Sequence, residues 1–207
     1  MPRITVPLVE GERYHVYNRG ADKRDIFLSK KDYLRFYLSL DLFNSIEPVT
    51  NFEFAKVHKK KNTISPKLVK IIAYCLLPNH FHLLLEQVAP NGISDFLKRV
   101  SGGYTSYFNL QQERSGVLLQ GRFKRVLIDS DEQFNYLLSY VNENHIVHGI
   151  NFEREICHSS SLHYQGVYKS KLIETNIPNY NFSESIDLAL SIYEKRAKQK
   201  ISDLLEN

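Results

Sequence analysis

The sequence predicts an α+β fold, a ferredoxin-like antiparallel sheet with packed helices, on three observations. Two apolar runs, residues 68–77 and 80–88, are joined by Pro78-Asn79 and read as a hairpin. Segments with apolar residues at helical spacing alternate with segments that read as strands. The resulting order is strand–helix–strand–strand–helix–strand–helix, with one extra strand near Phe52, which fits a sheet covered by helices mainly on one face.

Each element has a local reason. "RYHVYNRG" (13–20) alternates and ends at glycine, as a strand does. In residues 29–45, Tyr33, Phe36, Tyr37, Leu40 and Phe43 fall at helical spacing behind Ser29, a capping residue type. "NFEFAKVH" (51–58) alternates again and is expected to be a strand, followed by the basic, turn-rich loop "KKKNTISPK". The β-branched content of residues 68–77 predicts a buried strand. Residues 92–116 read as a helix with Phe96, Val100, Tyr104, Tyr107 and Phe108 on one side, weakened at Gly102-Gly103. Residues 118–129 read as a strand with a bulge at Gly121. Ser130 opens a helix running to about Asn144, and a last helix begins near Ser183. The expected organisation is one domain over residues 1–150 and an appended segment over 151–207 that carries the terminal helix.

Composition narrows the function classes. The chain is 43% hydrophobic, 24% charged and 12% aromatic, which is ordinary for a globular protein. No stretch approaches the roughly 20 apolar residues of a membrane span, and residues 1–15 lack an apolar signal core. Cys75 and Cys157 have neither metal-site nor redox spacing, so a cytoplasmic protein with reduced thiols is expected. Residues 1–130 carry 20 Lys+Arg against 12 Asp+Glu, whereas residues 131–207 carry 7 against 11. A basic body of this kind suits a polyanionic partner.

The histidines of "LLPNHFHLLLEQ" carry the chemistry. Residues two apart in a strand point to the same face, about 6.5–7 Å apart. His80 and His82 therefore share one face while Phe81, Leu83 and Leu85 share the other. Two readings stay open: a pair of metal ligands on a rigid base, or two partly buried histidines with backbone partners. Tyr140 and Asn144, four apart in the following helix, share a helical face. Asn144 then offers an amide oxygen as a third ligand, and Tyr140 places a phenol one turn away. A free phenol has a pKa of about 10 and is a poor nucleophile at neutral pH, so a metal that polarises a phosphodiester would help it. By pattern alone Tyr140 reads as a core aromatic beside Tyr136, Leu137 and Val141. Glu86 lies too far along the strand to be a ligand. His15 allows a structural role, and His145 and His148 read as capping or surface groups.

The stretches "YHVYNRG", "YCLLPNHFHLLLE", "SGGYTSYFN", "GRFK" and "YLLSYVNENHIVHGI", in this order, resemble the single-tyrosine HUH transposases, and most closely their REP-associated tyrosine branch. The resemblance spans residues 13–150 and implies the HUH form of the ferredoxin-like fold. It implies that His80, His82 and Asn144 bind Mg²⁺ or Mn²⁺ and that Tyr140 is the nucleophile. Tyr140 would cleave single-stranded or hairpin DNA through a 5′-phosphotyrosine, which a 3′-hydroxyl then reverses. Two imidazoles and an amide suit Mn²⁺ better than the all-oxygen shell favoured by Mg²⁺. Some relatives exchange the tyrosine helix between subunits, so both monomer and homodimer are open.

The sequence departs from the family where Asn-Pro-Val-Arg-Ala-Gly becomes "NHIVHG", with His145 and Val147 replacing Pro and Arg. Leu119 stands where the family has Trp. Arg19, Arg122, Lys124 and Arg125 are the expected DNA contacts, with Lys23, Arg24 and the cluster Lys59–Lys60–Lys61 as further cations, and Tyr17 or Phe123 as stacking surfaces. The rivals are a metallonuclease in which water attacks and a non-catalytic nucleic-acid-binding module using the sheet face.

Overall fold

The computed structural model describes residues 7–49, 51–61, 66–151, 158–167, 171–173 and 181–205. Its elements are β1 (Arg13–Arg19), α1 (Lys30–Leu42), α2 (Phe52–Lys61), β2 (Val69–Leu77), β3 (His80–Gln87), α3 (Gly92–Gln111), β4 (Lys124–Ile128), α4 (Asp131–Asn142), α5 (Asn144–Val147), α6 (Ser161–Tyr164) and α7 (Phe182–Leu205). The strands form one antiparallel sheet in the order β2-β3-β1-β4, the ferredoxin-like arrangement the sequence predicts.

Strand alternation divides the apolar residues between two layers. Val16, Phe81, Leu83 and Leu85 pack with Phe36 and Leu40 of α1 and with Phe96, Val100 and Tyr104 of α3. On the opposite face, Ile72, Cys75, Leu77 and Leu84 pack with Phe134, Leu137, Leu138 and Val141 of α4. Helices thus cover both faces. Side-chain chemistry sets several element starts: Asp32 accepts from the Ser29 N–H at 2.9 Å before α1, and Ser130 Oγ accepts from Gln133 N at the start of α4.

Residues 51–58 are the main departure, because they belong to the helix α2. Their alternating pattern is overridden by Asn51, whose Oδ1 accepts from Phe54 N at 2.8 Å as an N-cap, with Glu53 in the favourable first turn and Ala55 buried. β4 is also shorter than expected. Leu119 makes only an isolated bridge to Gly20, and the chain turns at Gly121 with φ +65° before the ladder starts at Lys124. The helix expected to end at Asn144 breaks at Glu143 and continues through Val147. The end of the basic loop after Lys61, the Lys59–Lys61 side chains and Cys157 lie outside the described residues.

Part of the chain beyond residue 150 packs on the sheet. Leu76 N donates to His158 O at 2.7 Å, and Cys75 bridges Ser159 along the outer edge of β2. Ser160 Oγ accepts from Tyr74 N at 2.8 Å and also bonds the Asn142 side chain. Helix α7 packs against α4 and α5, with Ser185 Oγ donating to Ser139 Oγ. Ser160→Ala leaves the buried Tyr74 amide without its partner, which should cost about 1–3 kcal/mol. A thermal melt should show a fall of about 2–4 °C per kcal/mol for a chain of this size.

Candidate active site

The sheet register brings the sequence motifs into one row. Across the α4 face, Cys75 of β2 lies opposite His82 of β3, His82 opposite Tyr17 of β1, and Tyr17 opposite Lys124 of β4. His80 lies opposite Arg19 in the next row. The His80 and His82 rings are 5.1 Å apart, and Tyr17 stacks on His82 at 5.6 Å. These groups line a hollow of about 460 Å³ at the end of α4, together with Tyr140, His148, Lys23 and Gln120.

Both imidazoles are engaged at Nδ1. Asn79 Nδ2 donates to the Lys23 carbonyl, which turns Asn79 Oδ1 toward His80 Nδ1 at 2.6 Å. An amide oxygen only accepts, so His80 Nδ1 carries the hydrogen and Nε2 the lone pair. His82 Nδ1 meets His15 Nε2 at 2.8 Å. His15 is itself buried, and its ring stacks on His82 at 5.1 Å. A neighbour held at one ring nitrogen is the usual means of fixing a metal-ligating histidine. His15 therefore has a definite place in the site, behind His82 and away from the hollow.

Helices α4 and α5 supply the opposite wall. The half-buried Tyr140 ring stands edge-on to His82 at 5.8 Å and to His15 at 6.2 Å. One turn later Asn144 is fully buried; its Nδ2 donates back to the Tyr140 carbonyl at 3.3 Å. Another turn on, His148 lies 4.9 Å from His80. Tyr140 thus meets His82 and His148 meets His80, with Asn144 buried behind the Tyr140 carbonyl. His148 is exposed at the C-cap of α5, in keeping with a capping or surface group; its place on the hollow beside His80 is what the sequence does not predict, because the helix is expected to stop at Asn144.

The expected DNA-binding cations separate onto two faces. Arg19 and Lys124 line the hollow, with the Lys124 ammonium 6.0 Å from the Tyr17 ring and Arg19 Nε bonded to Gln120. Arg125 lies opposite Val16 and shares the α3 face, where it lines a separate groove with Arg122. Glu86 bonds Lys70 at 2.6 Å and Arg13 at 3.5 Å, far from the histidines in the register.

Among the described residues no group of three or more His, Cys, Asp or Glu side chains could hold a metal ion. The expected set is different in kind, two histidines and an amide. One observation fits it: Asn144 Oδ1 is buried and has no hydrogen-bond partner among the described residues. Buried polar atoms are ordinarily paired, and a ligating oxygen is one reason for an exception. Two imidazoles on the hollow and a buried amide oxygen without a partner among the described residues are donor types that a divalent cation accepts.

Burial lowers the His15 pKa from 6.5 to about 4. The unfolded chain then binds a proton below about pH 6.5 that the folded chain refuses until about pH 4. In metal-free protein this contribution, about 3 kcal/mol for the whole shift, is complete above pH 6.5 and is lost as pH falls through that window. Melting temperature against pH should show the loss, and His15→Asn should flatten it.

No protein-family model and no curated protein matches the sequence. Among solved structures, the chain is similar to a REP-associated tyrosine transposase bound to a REP hairpin, with 15% identity, a TM-score of 0.57 and coverage of 86% of this chain and 99% of that one. A proposed transposase from Deinococcus radiodurans R1 aligns at 14% identity over 68% of this chain and 95% of that one, with a TM-score of 0.38, too loose to argue from. At such identity the first likeness establishes the fold alone: this chain shares the fold of the solved REP-associated tyrosine transposase.

Proposed function

We propose that the protein is a metal-dependent single-stranded DNA transposase that cleaves and rejoins strands through Tyr140 at hairpin-forming sites. The observation that carries this reading is the convergence of Tyr140 from α4 on the His80–His82 pair of β3, with rings 5.8 Å apart at Tyr140 and His82. Arg19 and Lys124 at the rim of the same hollow supply the positive charge a DNA backbone needs. The hairpin partner is suggested by the solved protein of the same fold, which is bound to a REP hairpin.

The chain's groups have distinct roles. Tyr140 Oη attacks the phosphorus, forming a phosphotyrosine with the 5′ side while the 3′ oxygen leaves and takes up a proton; the phenolic proton goes to solvent. A 3′-hydroxyl then attacks the phosphotyrosine, rejoining DNA and returning the phenol, so no nucleotide hydrolysis is required. Lys124 and Arg19 orient the strand electrostatically. His80, His82 and Asn144 would hold Mg²⁺ or Mn²⁺, which when bound supplies Lewis-acid polarisation of the phosphodiester. His15 and Asn79 act as positioning residues for the two imidazoles.

The test is a denaturing gel. Labelled hairpin-forming single strands incubated with protein and Mn²⁺ should give an SDS-resistant adduct that EDTA prevents. Cleaved DNA without adduct would favour attack by water, and EDTA-indifferent binding without cleavage would favour a binding module.

A further inference from the structure

The face of the sheet opposite Tyr140 holds a second hollow of about 960 Å³, between α3 and residues 117–125. Among the described residues Lys98, Arg122 and Arg125 line it and no carboxylate does; its apolar lining includes Leu97, Leu118 and the half-buried Phe123. This volume lies at the upper end of the range for small-molecule sites, about 300–1,000 Å³. Three cations around an apolar floor match a nucleotide, which presents a flat base and an anionic phosphate.

Two further observations point to an occupant. Gly102 sits exposed in the interior of α3, where glycine costs about 1 kcal/mol relative to alanine. Its neighbour Gly103 has a packing reason, since a Cβ there would lie 3.0 Å from the Phe43 ring. A Cβ at Gly102 would meet nothing within 4 Å, so the fold does not require this glycine, yet it borders the groove. The second observation is continuity. Asn18 lines both this groove and the Tyr140 hollow, and its Nδ2 bonds the Gly121 carbonyl. β4 is an edge strand, with Lys124 on one face and Arg125 on the other. A strand leaving the Tyr140 hollow past Lys124 therefore reaches the groove by rounding an open edge.

We propose that this groove binds one nucleotide of the single-stranded DNA that passes around the β4 edge, its base against Leu118 and Phe123 and its phosphates at Arg122 and Arg125. The proposal rests on the reading of the protein as a single-strand DNA enzyme and deepens it. A substrate is then gripped on both faces of the sheet, and the base held in the groove contributes to sequence choice.

Fluorescence anisotropy with a mixed-sequence 24-nucleotide single strand tests it, using the full chain. Gly102→Leu, which projects a side chain into the groove, and Arg125→Ala should each weaken binding about tenfold. Arg125→Ala should also reduce the salt dependence by about one phosphate contact. Lys67→Ala, an equal loss of charge at an exposed position outside the lining of the groove, should not weaken binding. A strand carrying 5-iodouracil should photocrosslink to the peptide containing Phe123. Where Gly102→Leu fails to fold, Arg125→Ala and the crosslink decide. Wild-type affinity in the folded groove variants, with the Tyr140 adduct still forming, overturns the groove and leaves the enzyme reading standing. A wild-type protein that neither binds the strand nor forms an adduct overturns both.

Discussion

Tyr140→Phe should abolish the covalent protein–DNA adduct and reduce strand cleavage by on the order of 10⁴-fold or more, because the attacking atom itself is removed. The fold should survive, since only a hydroxyl is lost and the ring keeps its edge contacts with His82 and His15 and its stacking on Tyr136. Competing tyrosines differ in position. Tyr104 and Tyr107 belong to α3 on the far side of the sheet. Tyr104 is fully buried with its hydroxyl on the Ile26 carbonyl, and burial pushes its pKa up. Tyr107 donates to Asp32, and burial together with that carboxylate raises its pKa to about 12. Tyr17 and Tyr136 are closer rivals, one stacked flat on His82 and the other on Tyr140 itself. Peptide mapping of the adduct and the variants Tyr17→Phe and Tyr136→Phe separate them. Persistence of the adduct in Tyr140→Phe would move the nucleophile elsewhere, with Tyr17 next in line. Cleavage at the wild-type rate without an adduct would leave water as the attacking group.

The sheet was legible in the sequence because its signals are local. The Pro78-Asn79 turn and the division of Phe81, Leu83 and Leu85 from His80 and His82 require only strand periodicity, and the structure reproduces both. Residues 51–58 misled because Phe52 and Phe54 alternate with polar neighbours, whereas the step of three from Phe54 to Val57 suits a helix, and the cap from Asn51 decides between the two. The candidate site was legible only in part. Tyr140 and Asn144 are a helical pair by spacing, whereas the place of His148 depends on α5 continuing beyond the break at Glu143. The bond from His15 to His82 joins residues 67 positions apart and follows from strand order, which no local pattern encodes. The separation of Lys124 from Arg125 likewise follows from the regular ladder of β4, in which adjacent residues face opposite ways.

His82→Ala should eliminate specific Mn²⁺ binding, whereas His15→Ala and Asn79→Ala should weaken it about 10–100-fold. The difference in magnitude follows from position. His82 would contribute a donor nitrogen, so its loss leaves one imidazole and one amide, too few to hold a divalent ion from the protein side. His15 and Asn79 meet the same imidazoles at Nδ1; without them the donors remain but are free to rotate or to change tautomer. A ligand at about 100 times its dissociation constant stabilises the folded state by about 2.7 kcal/mol, which for this size of chain is a rise of roughly 5–10 °C in melting temperature. That rise can be read without DNA or activity, and the nitrogen coupling of bound Mn²⁺ in electron paramagnetic resonance gives a second, independent readout. Asn144→Ala adds a sign test. In metal-free protein, removing a buried oxygen that has no hydrogen-bond partner among the described residues should cost little beyond the lost packing and the bond from Nδ2 to the Tyr140 carbonyl. With Mn²⁺ present the same substitution should be distinctly destabilising, because the oxygen then has its partner. Equal destabilisation with and without the ion, together with an Mn²⁺ response that survives His82→Ala, would make the two histidines and the amide structural groups and leave Tyr140 without a metal beside it.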